Sequence, residues 1–369
     1  MIDAIGIVNF EPNNIQGLSQ FRTVPAMTFI GRYRIIDFVL SNMSNSGIEQ
    51  IKVLCKEKPA SLMDHLGNGT QYNINSKKGY LQLVYPDNIA VGSIYTNDIY
   101  LMEETVNDII DSNKKYVVIS PSYMICRLNY QDVIREHEKS GADITCVYKK
   151  ATRADIHYIG CMRADIDKDG RITDIRENMG VKAEENILME TYVMTKETYV
   201  KMIENAKSIS PLFSFKNILA TVLDTMNIRA YQYEGYLLCI NSLQEYFNAN
   251  MDLVEYKHMD QLFDDLWPIM TRTNDSVPAF YAKSAKVKNC LISNGCQIHG
   301  SVENCIVGRG VHISKGAVVK NAVLLANSYI APDSHLEYVV VDKHARIENK
   351  RDICGTEDQV VYIRRRDRV

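Results

Sequence analysis

"AKVKNCLISNGCQIHGSVENCIVGRGVHISKGAVVKNAVLLANSYIAPDSHLEYVVVDKHARI", residues 285–347, decides the architecture of the C-terminal part of this chain. An aliphatic residue recurs about every six positions, and small residues with Gly or Asn stand at the intervening corners. Ile292, Ile298, Ile306, Val311, Ile313, Val318, Val323, Ile330 and Ile347 fall near that register. A hexapeptide period predicts a parallel β-helix, with roughly four or five three-sided coils stacking their aliphatic side chains into one core. Stacked coils leave open strand edges, so an oligomer is expected. His299, His312, His335 and His344 lie in the array. Some β-helices of this kind use a His base in acyl transfer, but in so short an array these four read as solvated side chains.

Upstream, the first 255 or so residues change pattern. Short apolar runs at 4–8, 50–55, 116–120 and 143–149 predict strands, and the segments 37–47, 97–113 and 130–141 predict helices, each ended by Gly or Asn. Strands alternating with helices imply a mainly parallel, doubly wound α/β sheet of Rossmann-like type, with ligands at the carboxyl ends of the strands. "DIDKDGRITDI" (165–175) predicts a hairpin with an Asp-Gly turn; as an EF-hand it lacks the Glu at loop position twelve.

The bulk values are those of an ordinary globular protein: 369 residues, 46% hydrophobic, 24% charged, net charge −3. Nothing in that balance drives binding to nucleic acid or anionic membrane. No apolar run approaches the roughly 20 residues needed to span a bilayer, and "MIDAIGIV" reads directly as a strand, so a cytoplasmic protein is expected. The nine cysteines form no C-x-x-C pair and sit mostly in apolar segments, which predicts reduced, buried thiols.

"VVISPSYMICRLNY" (117–130) sits where enzymes that join a nucleotide to a sugar phosphate usually carry a magnesium-binding carboxylate, yet it contains neither Asp nor Glu. The block "GRYRIIDFVLSNMSNSGI" (31–48), within 22–66, resembles the glucose-1-phosphate adenylyltransferase family. The resemblance continues through Thr96 and Asp98, "EYFNANMDL" (245–253) and "WPIMTRTNDSVPAFY" (267–281) into the hexapeptide region. It implies a nucleotidyltransferase domain over 1–255, a linker over 256–283 and a left-handed β-helix with its tail over 284–369. The family reaction converts ATP and glucose 1-phosphate into ADP-glucose and pyrophosphate. That chemistry is positioning and charge stabilisation by a phosphate loop, cations and magnesium-holding carboxylates.

Matched to the family's motifs, this chain lacks each working part. The phosphate loop G-G-x-G-T-R-L is replaced by Asn9, Phe10, Glu11, Pro12, Asn13 and Asn14, so Asn14 stands at the Arg. Val24 stands for a Lys, Tyr123 and Cys239 for the two metal-binding Asp residues, and Asn178 for the glucose-1-phosphate Lys. Glu177 is kept beside it, and the sugar-binding A-S-M-G segment reads Ile187, Leu188, Met189 and Glu190. The resemblance therefore implies a regulatory chain without activity or bound magnesium of its own, assembled with a catalytic paralogue, by default as a heterotetramer, in glycogen biosynthesis. An active adenylyltransferase with an atypical metal site and a stand-alone sugar-phosphate sensor are the alternatives. Arg22, Arg34 and Arg365 match or flank the family's effector positions and suit bidentate phosphate contacts, although Phe21 replaces a family Lys.

Overall fold

The computed structural model describes residues 2–10, 15, 17–74, 77–86, 97–210, 212–273, 275–349 and 352–369; Glu11 to Asn14 and Thr96 lie outside them. The chain divides into two compact units that do not follow the sequence boundaries. The first comprises 1–12, 36–237 and 265–270, and the second 13–35, 238–264 and 271–369.

The first unit is built on a nine-stranded sheet. Strand Ala4–Asn9 lies at its centre, paired in parallel with Gln50–Leu54 on one side and Tyr116–Pro121 on the other. All six residues of Ala4–Asn9 are buried, as are all six of Tyr116–Pro121, as expected of strands covered on both faces. The sheet is mixed rather than mainly parallel. The long strand Glu185–Thr195 runs antiparallel to Tyr116–Pro121 and to Ile144–Ala151, and the hairpin Met162–Ile166/Ile172–Glu177 extends that antiparallel edge. In the turn of this hairpin the Asp167 carboxylate accepts from the Asp169 and Arg171 amides, so Asp167 caps a tight turn. The single helix expected over 97–113 is two, Asp98–Glu103 and Val106–Asp111. Between them the buried Thr105 hydroxyl lies 2.6 Å from the Met102 carbonyl and 2.9 Å from the Tyr199 hydroxyl. A hydroxyl that bonds backbone locally competes with helix continuation.

The second unit contains the parallel β-helix. One row of strands runs Phe280–Tyr281, Gln297–Ile298, His312–Ile313, Tyr329–Ile330 and Arg346–Ile347; another runs Lys286–Ile292, Ser301–Val307, Val318–Leu324 and His335–Val341. The first coil thus opens at Phe280, inside the segment read as linker, and that segment also carries the helix Tyr256–Leu262. Ile298, Val311, Ile313, Ile330 and Ile347 are fully buried in the core of the coils, as the repeat requires, whereas Ile306 and Val323 are buried outside that core and their neighbours Cys305, Val307, Ala322 and Leu324 fill it. Val318 is displaced by one position: it faces outward, and Val319 fills the core. A one-residue shift exchanges the faces of a strand.

Segments from far along the chain complete this unit. The helix Leu243–Asp252 anchors the early segment through Tyr246, whose hydroxyl donates to the Thr28 carbonyl at 2.5 Å, and through Asn250, whose side-chain oxygen accepts from the Ile30 amide at 2.9 Å. Gly31 has a φ of +73°, and a Cβ there would sit 2.6 Å from the Ser293 hydroxyl, so this point of close approach requires glycine. Among the described residues no helix is long and apolar enough to cross a membrane.

Candidate functional site

At the carboxyl end of strand Ala4–Asn9 a small cleft of about 80 Å³ is lined by Phe10, Lys56, Asp98, Glu190 and Lys216, among others. Asn9, Asp98, Glu190 and Lys216 are bonded in pairs, whereas the buried Tyr192 hydroxyl in the same lining has no hydrogen-bond partner. Asn9 donates its side-chain amide to Asp98 at 2.9 Å. The Ile99 amide donates to the same carboxylate at 3.0 Å, and the Phe215 amide reaches both its oxygens at 3.2 Å. Burial raises the Asp98 carboxyl above its usual range and the Glu190 charge adds to this, while the Asn9, Phe215 and Ile99 donors offset part of it.

Glu190 enters the cleft from a bulge in strand Glu185–Thr195, where the pairing register shifts between Leu188 and Thr191. Its φ is +47°, a left-handed conformation that an L side chain adopts at a cost of roughly 1–2 kcal/mol. The Glu190 carboxylate takes the Lys216 ammonium at 3.3 Å.

The replaced positions have structural uses. Tyr123 follows strand Tyr116–Pro121 and is buried, with 1% exposure. Asn178 is buried too; its amide donates to the Ala154 and Tyr158 carbonyls at 2.8 and 3.0 Å, and its oxygen accepts from the Gly180 amide. It ties the segment after strand Ile172–Glu177 to the loop that carries Ala154 and Tyr158. Glu177 is exposed at the end of its strand. Val24 is buried in a short 3-10 turn, Val24–Ala26, and Cys239 is buried. Asn14 lies outside the described residues.

Magnesium takes hard oxygen ligands in a near-octahedral arrangement. Asp98 already receives its N–H donors and Glu190 an ammonium, and Tyr123 and Cys239 bring no carboxylate to the family's metal positions. Among the described residues no group of three or more His, Cys, Asp or Glu side chains is arranged to hold a metal ion. The donor set does not fit the family's magnesium clamp.

A second cluster lies in the unit that contains the β-helix. Arg22, 3% exposed, places one guanidinium nitrogen 2.6 Å from each oxygen of Asp342. Asp342 is fully buried and also accepts from the Tyr362 hydroxyl at 2.7 Å and from the Lys343 amide at 2.6 Å. Arg22 is therefore built into the fold. Arg34 donates to the Ala26 carbonyl, and the Arg365 guanidinium lies 5.8 Å over the Phe21 ring.

Lys343, which sequence reasoning missed, sits among these arginines. Its ammonium is pulled down to about 7, first by burial and then by the Arg34, Arg22 and Arg365 charges, against a smaller opposing effect of Asp342. The Nε donors of Arg22 and Arg365 are buried without a hydrogen-bond partner. Asp342 is bonded to Arg22, the Arg34, Arg22 and Arg365 charges all act on Lys343, and two of these arginines keep an unmet Nε donor. The signal for Lys343 was its place in "VDKH" (341–344), where three titratable residues in a row interrupt the aliphatic repeat.

Over residues 14–255 the sequence matches the family described as nucleotidyl transferase, and over 277–361 the family described as the GlmU-like C-terminal hexapeptide. It is 29% identical over 357 residues to the glycogen biosynthesis protein GlgD of Bacillus subtilis, covering 96% of this chain and 92% of that protein. It is 30% identical over 329 residues to the glucose-1-phosphate adenylyltransferase of Fervidobacterium nodosum, covering 88% and 79% of the two chains. It is also 30% identical over 311 residues to that of Clostridium perfringens, covering 83% and 79%.

Proposed function

The chain belongs to the glucose-1-phosphate adenylyltransferase family of nucleotidyl transferases, and from that premise we propose that it is a regulatory subunit with no catalytic capacity of its own. The observation that carries this reading is the absence of any carboxylate at the two metal positions, where Tyr123 and Cys239 stand, together with a cleft whose remaining acids are bonded internally. A reacting triphosphate needs its charge offset as bonds break. Losing a metal interaction worth about 5 kcal/mol slows such a reaction several thousandfold, and here the substrate lysine is replaced as well.

The chain modulates a catalytic paralogue, with which it forms a mixed assembly, by default a heterotetramer. The similarity to GlgD along nearly the whole chain supports this. Its own ligand is a phosphorylated sugar or related anion, received by Arg34, Lys343 and Arg365, with Arg22 holding the scaffold through Asp342. The chain itself carries no magnesium; the ion serves the catalytic partner.

Co-expression with the catalytic paralogue tests the reading. The expected result is a co-purifying complex, heavier than either chain alone, whose response to a phosphorylated activator differs from that of the paralogue alone. Arg365→Ala and Lys343→Ala should weaken that response while leaving the complex intact. Failure of the two chains to associate, with no change in the paralogue's kinetics, would overturn it.

A further inference from the structure

Two cysteines outside both clusters occupy equivalent places on consecutive coils. Cys290 in strand Lys286–Ile292 pairs in register with Cys305 in strand Ser301–Val307. Each follows an asparagine in the left-handed conformation, Asn289 at φ +49° and Asn304 at φ +50°. The two asparagine side chains bond to each other at 2.8 Å, which fixes the corner. Each thiol donates to the carbonyl two residues upstream at 3.1 Å, Cys290 to Lys288 and Cys305 to Glu303. The sulfurs therefore point the same way from adjacent strands.

Neighbouring strands lie about 4.7–4.9 Å apart. That separation falls within the roughly 4.4–6.8 Å between Cα atoms that a disulfide spans. The next residues in the same stack are Ala322 and Val339, so the two thiols lie side by side with only apolar side chains next in the stack. Cys305 is fully buried, whereas Cys290 is only partly covered because strand Lys286–Ile292 begins with four exposed residues. Contact with Cys305 draws the Cys290 thiol below its usual range, whereas burial pushes Cys55 and Cys126 up to about 12. Thiolate character and access select the thiol that reacts first.

We propose that Cys290 and Cys305 form a reversible disulfide site, closed by exchange with a low-molecular-weight disulfide such as oxidised glutathione, that staples the first coil of the β-helix to the second. The Cys290 thiolate attacks one sulfur of the oxidant and expels one glutathione thiolate, leaving a mixed disulfide on Cys290. Cys305 gives up its proton to the departing thiolate and attacks the Cys290 sulfur, expelling the second glutathione, which takes its proton from water. The net exchange consumes one oxidised glutathione and two protein thiols, and yields one protein disulfide and two glutathione thiols.

The test treats the folded, full-length protein with oxidised glutathione, blocks remaining thiols, and digests it with trypsin and a protease that cuts after Glu. Cleavage after Glu303 separates Cys290 from Cys305, so a disulfide keeps 289–303 and 304–309 joined. The joined peptide should appear, persist in Cys296→Ala, disappear under reductant and be lost in Cys290→Ser. In Cys305→Ala, Cys290 should retain a single glutathione adduct. The proposal is overturned if the exposed Cys354 is glutathionylated while the two peptides stay separate, if they join only after denaturation, or if the link is lost in Cys296→Ala.

Discussion

The acidic cleft of the first unit and the cationic cluster of the second are both assemblies of buried charge, and they are wired oppositely. In the cleft, Asp98 is met by the Asn9 amide and two backbone amides, and Glu190 by Lys216. In the cluster one carboxylate, Asp342, serves Arg22 while Arg34, Lys343 and Arg365 stand close by, and two guanidinium Nε donors have no partner. Buried polar groups that satisfy one another stabilise a fold and leave little for a ligand. Buried donors left unmet are costly until a ligand supplies the acceptor. The difference lies in the charged groups: the cleft's carboxylates are met, and its unmet buried group is the neutral Tyr192 hydroxyl, whereas the cluster's unmet donors are guanidinium nitrogens.

Substitutions can break this contrast. The largest effect is expected for Arg22→Ala, which leaves Asp342 buried beside a lost guanidinium and should destabilise the protein by about 3–5 kcal/mol, measured as a fall in midpoint in chemical denaturation. An equal effect from Arg365→Ala would mean that both arginines are structural and would erase the distinction drawn here. Next is Asn178→Ala, which frees the Ala154 and Tyr158 carbonyls and the Gly180 amide and should cost about 1–3 kcal/mol.

The cluster should show a pH signature. Lys343 is depressed to about 7, so its ammonium is present below that pH and lost above it. Sulfate affinity, measured by titration calorimetry, should weaken by up to about tenfold per pH unit above 7 and lose this dependence in Lys343→Met. For stability without ligand the sign is reversed. The folded state binds fewer protons than the unfolded one between about 7 and the usual lysine range, so stability rises with pH in that window. The smallest effect is expected for Glu190→Gly. Relief of the left-handed strain gains roughly 1 kcal/mol, and loss of the Lys216 pair offsets part of it. Denaturation should show a change within about 1 kcal/mol, and substrate turnover should not appear.

Much of this was legible in the sequence because repetition and periodicity are local. The coil corners at Asn304 and Gly310 and the aliphatics between them announce the β-helix. The strands 4–8, 50–55 and 116–120 stand within a residue or so of their observed bounds. The antiparallel strand Glu185–Thr195 escaped, because strand direction is a property of pairing rather than of composition. Val318 and Val319 are interchangeable by type, and only packing decides which faces the core.

That Tyr123 and Asn178 carry no charge was visible by residue type, but the loop fastened by Asn178 was not. The Arg22–Asp342 pair joins residues 320 positions apart, and no local pattern marks it. Lys343 was passed over because a lysine in a repeat reads as solvated until its arginine neighbours are placed in space.

Formation of ADP-glucose by the purified chain alone, supplied with ATP, glucose 1-phosphate and magnesium and shown by mass spectrometry to be free of any catalytic paralogue, tests the central claim most directly. The wiring of the cleft predicts no product above the protein-free control at any magnesium concentration. Steady magnesium-dependent turnover that Asp98→Asn abolishes would contradict it and would make the Asp98–Glu190 cleft a working metal site.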